Sequence, residues 1–251
     1  MSVTYPNDSL IPSLRQLWKK AFGDTDDFLD LFFSTAYAPE RCRCIAEGTE
    51  VQSVLYWFDC FLEDQKIAYI YAVATDPAQR GRGLCRMVME DTMDILQDRG
   101  YAGAILLPQE EWLINMYAGM GFDPCTTVTE KWFPAGEEIS ARRIDEKEYA
   151  ILRRKFLPAG GVIQEGENLR FLAGMAQFWA GDDFVAAVTT DGEELWCPEF
   201  LGDVSAVPGL IKMLGYPAGR ARMPGKERQF SMFRLVSKTG KKPGYFGFVF
   251  D

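Results

Sequence analysis

The sequence contains no histidine. Without imidazole there is no Ser-His-Asp or Cys-His nucleophile pair, no His-liganded zinc and no histidine general base, so acid–base chemistry falls to Asp, Glu, Tyr, Lys, Cys or a chain terminus. Cysteine is sparse and poorly spaced for a metal. Of Cys42, Cys44, Cys60, Cys85, Cys125 and Cys197, the one close pair is Cys42-x-Cys44, not the C-x-x-C of a zinc site or a thioredoxin-type motif. The cysteines read as reduced thiols of a cytoplasmic protein, and no metal is expected. No run reaches the about 18 apolar residues that span a bilayer, and Pro6, Asn7 and Asp8 stand where a signal peptide needs an apolar core. The expectation is a soluble protein without a membrane partner. Tandem repeats of about 20–50 residues and low-complexity tracts are also missing.

What is present is ordinary for a folded chain of 251 residues: 47% hydrophobic and 25% charged, which excludes global disorder. The length suits one large domain or two modest ones, each able to bury a core. The formal charge of −9 is unevenly spread. Residues 1–139 carry 11 Lys plus Arg against 22 Asp plus Glu, whereas residues 140–251 carry 16 against 14. An acidic half argues against nucleic acid, which wants a basic face. It suits both a solvated acidic surface and a cationic substrate drawn to an acidic cleft.

Apolar spacing predicts a helix over 10–22, stopped by Gly23, and a second from Thr25 to about Tyr37. Strand-like segments follow at Cys42–Ala46, Val51–Leu62 and Ile67–Ala74, joined by short polar turns, as in an antiparallel meander. The third is apolar almost throughout and belongs inside a sheet. Pro77 and two glycines then lead into a helix to about Arg99, a short strand over Ala102–Leu107, a helix over Glu110–Ala118 and an extended segment to Trp132. Pro134-Ala135-Gly136, at the change in charge density, reads as a linker between domains at 1–135 and 139–251. Beyond it the pattern predicts helices near Glu146–Phe156, Leu169–Phe178 and Pro208–Leu214. It also predicts a hairpin, Phe184–Thr189 with Glu194–Trp196, turned by Asp191-Gly192, and strands over Phe230–Val236 and Tyr245–Phe250.

The glycine loop carries the chemistry. In Arg80-Gly81-Arg82-Gly83-Leu84-Cys85-Arg86, glycine allows close backbone approach and the helix start adds about half a positive charge, a setting for an anion such as pyrophosphate. A tight turn with solvated arginines explains the same residues without a ligand. The nucleotide P-loop ending Gly-Lys-Ser/Thr is absent, and a Rossmann fingerprint would need a small residue at Arg86 and no preceding meander.

Arg80-Gly81-Arg82-Gly83-Leu84-Cys85 resembles the R/Q-x-x-G-x-G/A signature of the GNAT superfamily of acyl-CoA N-acyltransferases, with Cys85 in place of the final small residue. Tyr117-Ala118-Gly119-Met120-Gly121-Phe122 resembles the family's later Tyr-x-x-x-Gly-Phe element, and the resemblance as a whole covers roughly residues 10–132. The resemblance implies an α/β (α+β) fold with a mixed, mostly antiparallel sheet flanked by helices. It implies acetyl-CoA as cosubstrate: backbone of Val73, Ala74 and Thr75 pairing with pantetheine, and Arg80 with the amides of Gly81, Arg82, Gly83, Leu84, Cys85 and Arg86 holding pyrophosphate. Tyr117 would protonate the departing thiolate. Glu110 stands where many members carry Asn. The acceptor would be a primary amine of a small molecule or peptide, with a non-catalytic acyl-CoA sensor as the alternative.

A protonated amine must lose its proton before attack. Asp59, Glu63, Glu110, Glu111 and water are candidate acceptors that the sequence does not separate, and Phe28, Phe32, Trp57 and Trp112 hint at an apolar pocket. The chain resembles, more distantly, multidomain GNATs of the enhanced intracellular survival type, which implies a terminal-carboxylate base, here Asp251. The smaller C-terminal α+β lobe is expected to be structural, acceptor-binding or a degenerate GNAT-like half.

Overall fold

The computed structural model describes residues 2–249. Its elements run α1 (Ile11–Phe22), α2 (Asp26–Thr35), β1 (Cys42–Glu47), β2 (Glu50–Leu62), β3 (Gln65–Thr75), α3 (Leu84–Asp98), β4 (Gly103–Leu106) and α4 (Glu111–Ala118). They continue with β5 (Asp123–Pro134), β6 (Arg142–Ile144), α5 (Glu146–Phe156), β7 (Val162–Gln164), α6 (Glu167–Ala173), β8 (Gln177–Ala180) and β9 (Phe184–Asp191). The last are β10 (Glu194–Gly202), α7 (Val207–Met213), β11 (Ala218–Pro224) and β12 (Arg228–Leu235). Two compact units interleave along the chain. The first takes the residues up to Asp123 with Met232–Lys241, and the second takes Pro124–Ser231 with the segment from Lys242. This division differs from the expected one at 135/139. The Ala135 and Gly136 amides donate to the Pro217 and Pro208 carbonyls at 2.9 Å, so the supposed linker is held inside the second unit.

In the first unit β1, β2 and β3 form the expected antiparallel meander, β4 joins β3 in parallel across α3, and Met232–Leu235 of β12 pairs antiparallel with β4. Alternation gives the sheet two apolar faces. On one, Leu55, Trp57, Ala68 and Ile70 pack on Leu84, Val88, Met89, Met93 and Leu96 of α3. On the other, Tyr56, Phe58 and Tyr71 meet Trp18 of α1 and Phe32 of α2, with ring centroids 4.6 to 6.2 Å apart. Gly23, left-handed at φ 76°, stops α1. Thr25 starts α2 by accepting the Phe28 amide, and Asp26 and Asp27 favour its first turn. The intervening elbow is therefore only Gly23, Asp24 and Thr25.

In the second unit the strand order is β5-β11-β10-β9-β8-β6, with β11 parallel to β10 and the other pairs antiparallel. The helix expected across 169–178 ends at Ala173, because Gly174 closes it and residues 177–180 turn to the buried–exposed alternation of a strand. Phe178 there stacks on Tyr149 at 4.0 Å. The strand expected at 245–250 is also corrected: within the described residues only Tyr245 makes a bridge, to Gly161. Side chains replace the ladder. Arg222 donates to the Gly247 and Val249 carbonyls at 3.2 and 2.9 Å, and Gln164 to that of Phe248 at 2.7 Å. β6, β7 and β11 were not foreseen.

The second unit repeats the succession of the first. β10, Asp203, a single 3-10 turn (Val204–Ala206), α7 and parallel β11 follow one another as β3, Asp76, a 3-10 turn (Pro77–Gln79), α3 and parallel β4 do. Both aspartates cap their turn through the amide two residues on. The difference lies at 80–83: α7 starts directly after its turn, with no glycine pair between them.

Candidate functional site

The site begins where β3 and β4 part. Their parallel ladder covers Ile67–Tyr69 opposite Gly103–Ile105, after which β3 continues to Thr75 while β4 ends at Leu106. Tyr71, Ala72 and Val73 are half-buried there although β3 is an interior strand. Against β2 the register slips: Val54 faces Ala74 but Tyr56 faces Tyr71, so one residue, Leu55, opposes two. This bulge puts Ala72 at φ 47°, a left-handed conformation that costs a non-glycine residue about 1–2 kcal/mol. Nothing in the sequence announces it. The Ala74 carbonyl accepts from Ser53 Oγ at 3.2 Å and the Asp76 amide donates to the Gln52 carbonyl at 2.9 Å, so both residues face β2. Alternation turns the peptide groups of Val73 and Thr75 to the opposite, open edge. Of the three expected backbone contacts, the geometry presents these two and not Ala74.

Beyond Thr75 the loop is shaped by glycine. Gly81 and Gly83 sit at φ 78° and 77°, and a side chain at either would meet nothing within 4 Å, so their need for glycine is conformational. Gly83 caps α3 without a side-chain bond, and the first intrahelical bond is Met87 N–H to the Gly83 carbonyl at 3.0 Å. The amides of Leu84, Cys85 and Arg86 thus have no partner within the helix and lie at its positive end. Arg80 and Arg82 are exposed, with Arg82 bonded to the Gln79 side chain. Arg86 is committed elsewhere: its guanidinium donates to the Gly119 carbonyl at 2.8 Å. This contact uses one of the five guanidinium N–H groups.

That bond reaches the turn after α4, which carries Tyr117. Arg234 holds the same turn, donating to the Met120 carbonyl at 2.8 Å while its two terminal nitrogens grip Glu90 of α3 at 2.9 and 2.8 Å. Tyr117 is 6% exposed, packs edge-on to Phe122 at 6.0 Å, and its hydroxyl bonds to no described residue. Burial, then the nearby Cys85 thiol, push its pKa above the ordinary tyrosine value. Burial likewise raises Cys85 to about 11, so at neutral pH that thiol is protonated and no nucleophile.

The four carboxylates singled out as proton acceptors are mostly engaged. Asp59 pairs with Lys66 at 2.8 Å and accepts from the Tyr101 hydroxyl, and Glu63 pairs with Lys241 at 2.6 Å. Glu110 accepts from Trp112, and Glu111 lies exposed in the first turn of α4. Asp251 lies outside the described residues. The aromatic hints separate as well: Phe28 and Phe32 join the Trp18 cluster, Trp57 is core under α3, and Trp112 is 58% exposed. Among the described residues no group of His, Cys, Asp and Glu could hold a metal, and no helix is long and apolar enough to cross a membrane.

A meander, a parallel crossover through an open-amide helix and a parted strand pair together define an acetyltransferase-like fold of the GNAT type. Residues 2–125 match the family model described as an acetyltransferase (GNAT) domain. No curated protein matches the chain. Among solved structures, the chain is similar to a GCN5-related N-acetyltransferase from Anabaena variabilis, with TM-score 0.74 and 13% identity over 94% of this chain and 73% of that one. It is also similar to Eis1 from Mycobacterium abscessus (TM-score 0.66, 12% identity, 94% and 74% covered). A putative acetyltransferase from Pyrococcus horikoshii is similar along 98% of this chain and 92% of its own (TM-score 0.66, 14% identity). At these identities the likeness is one of fold.

Proposed function

We infer that the protein is an N-acetyltransferase that moves the acetyl group of acetyl-CoA directly to a primary amine. The observation that carries this reading is the glycine-shaped, uncapped start of α3 beside the open edge of β3, within a GNAT domain. Its amides suit a pyrophosphate, and the peptide groups of Val73 and Thr75 suit an amide-bearing arm laid along the strand.

Acetyl-CoA brings an acyl group already activated as a thioester, so no protein nucleophile is needed. The neutral amine adds to the carbonyl carbon, the C–S bond breaks, and Tyr117 gives its hydroxyl proton to the departing sulfur. Burial raises both the Cys85 thiol and the Tyr117 hydroxyl above their ordinary values, so Tyr117 keeps its proton at neutral pH and can serve as the donor. Asp59 and Glu63 already hold lysines. Water or the Asp251 carboxylate takes the amine's proton.

A thiol-release assay over a panel of primary amines tests the reaction: release above the hydrolytic background is expected, and acetyl-CoA binding without release would make the protein a sensor. Gly83→Val tests the loop. Valine at φ 77° is strained, and the rebuilt helix start should weaken CoA binding by about a hundredfold or more, equivalent to about 2.7 kcal/mol, in a calorimetric titration. Retained affinity would remove the loop from the site.

A further inference from the structure

The elbow between α1 and α2 places a carboxylate beside the parted end of β3. Asp24 Oδ2 accepts from the indole of Trp18 at 2.7 Å, and Trp18 is 2% exposed, so the carboxylate is fixed by a buried side chain. The Trp18 ring lies 5.8 Å from that of Tyr71, on the bulged part of β3, and 6.2 Å from that of Phe28 on α2. Lys20 fastens the end of α1 to Asp76, one residue beyond β3, at 2.7 Å. These contacts bring Asp24, Trp18, Phe28 and Tyr71 to the end of β3 whose open edge the proposed cosubstrate would follow.

Three of the acids near Asp24 are neutralised, and Asp27, exposed in the first turn of α2, is not. Asp26 pairs with Lys19, Asp30 with Arg15 and Asp76 with Lys20. Asp24 has no cationic partner among the described residues, and the indole that holds it packs among the rings of Phe28 and Tyr71. The Asp24 charge also reaches the Tyr71 hydroxyl: burial first, then this carboxylate, raise the Tyr71 pKa. A half-buried carboxylate with one oxygen occupied by a buried indole and no cation beside it has the chemistry of an ammonium site.

We propose that Asp24, Trp18, Phe28 and Tyr71 form a subsite for a second ammonium group of the acceptor, so that the preferred substrates are diamines or polyamines. This rests on the acetyl-transfer reading. The uncharged amine at one end of such an acceptor is acylated while the charged group at the other end is held at Asp24. The proposal also gives the acidic first half of the sequence a specific local use.

The test is calorimetric titration of 1,5-diaminopentane and of pentylamine into the CoA-saturated protein, with thiol release from acetyl-CoA measured in parallel. Wild type should bind the diamine at least about tenfold more tightly, the scale of one partly desolvated charge contact. Asp24→Asn keeps an oxygen for the Trp18 indole and removes the charge, and it should abolish the difference without changing affinity for CoA. Asp24→Glu should restore it. Equal binding of the two amines by wild type, or a preference that survives in Asp24→Asn, overturns the subsite. A preference lost in Asp24→Asn, with no thiol release from any amine, supports the subsite and overturns acetyl transfer instead.

Discussion

Tyr117→Phe is expected to lower kcat by about 10²–10⁴, the range for loss of a positioned proton donor, with little change in acetyl-CoA affinity. The substitution is clean because the hydroxyl bonds to no described residue and the ring keeps its contact with Phe122 at 6.0 Å. The fold should therefore tolerate the change, and a fall in kcat reports proton delivery. The pH profile follows from the direction of the shift. Tyr117 holds its proton above the ordinary tyrosine range, so the wild-type rate should climb as the acceptor amine loses its proton, toward a pKa near about 10.4, with no loss of the donor before then. In the variant the same climb should appear on a much lower rate. Stopped assays of thiol release across pH 6–10, roughly the window set by these groups, provide the measurement. An unchanged kcat would remove Tyr117 from the reaction.

The largest stability effect is expected in the second unit, at a buried ion pair. Arg153 donates to both Glu199 oxygens, at 2.6 and 3.0 Å, and also to the Val162 carbonyl and Gln164. The Tyr149 hydroxyl donates a hydrogen bond to the same carboxylate at 2.8 Å. Glu199 is completely buried. Arg153→Ala leaves that charge with no counterion and should cost about 3–5 kcal/mol, read as a lower midpoint in equilibrium urea unfolding. Replacing both partners, Arg153→Met with Glu199→Leu, removes the orphaned charge and should lose less than the single variant. A double variant less stable than the single would show that the polar network matters for more than charge balance. Gln164, which links Arg153 to the Phe248 carbonyl, carries the damage to the segment 247–249.

Much of the first unit was legible because its signals are local. Alternation in 42–74, Pro77 and the glycine pair mark strand, loop and helix within a few residues, and the observed strands run to within two residues of their expected ends. The elements that were missed depend on distant partners. β11 reads Ala-Gly-Arg-Ala-Arg-Met-Pro, with no apolar run, yet Arg222 is 1% exposed because Glu130 of β5 receives its Nε at 2.7 Å. The segment 247–249 has the residues of a strand, but Arg222 and Gln164 occupy its carbonyls. In the site, the glycines and Tyr117 carry a motif. The Ala72 bulge, the diversion of the Arg86 guanidinium to Gly119 and the anchoring of Asp24 by Trp18 arise only when separate elements meet.

The interleaving of the two units sets an order of events during synthesis. β4 obtains its antiparallel neighbour from Met232–Leu235, a segment more than a hundred residues further along. On the ribosome the first unit therefore emerges with one flank of its sheet unpaired, and it stays so while Pro124–Ser231 of the second unit is translated. An open flank of this kind invites pairing with other nascent chains. A fragment cut at residue 135 would keep that flank permanently, so the glycine loop and Tyr117 are best studied in the full chain.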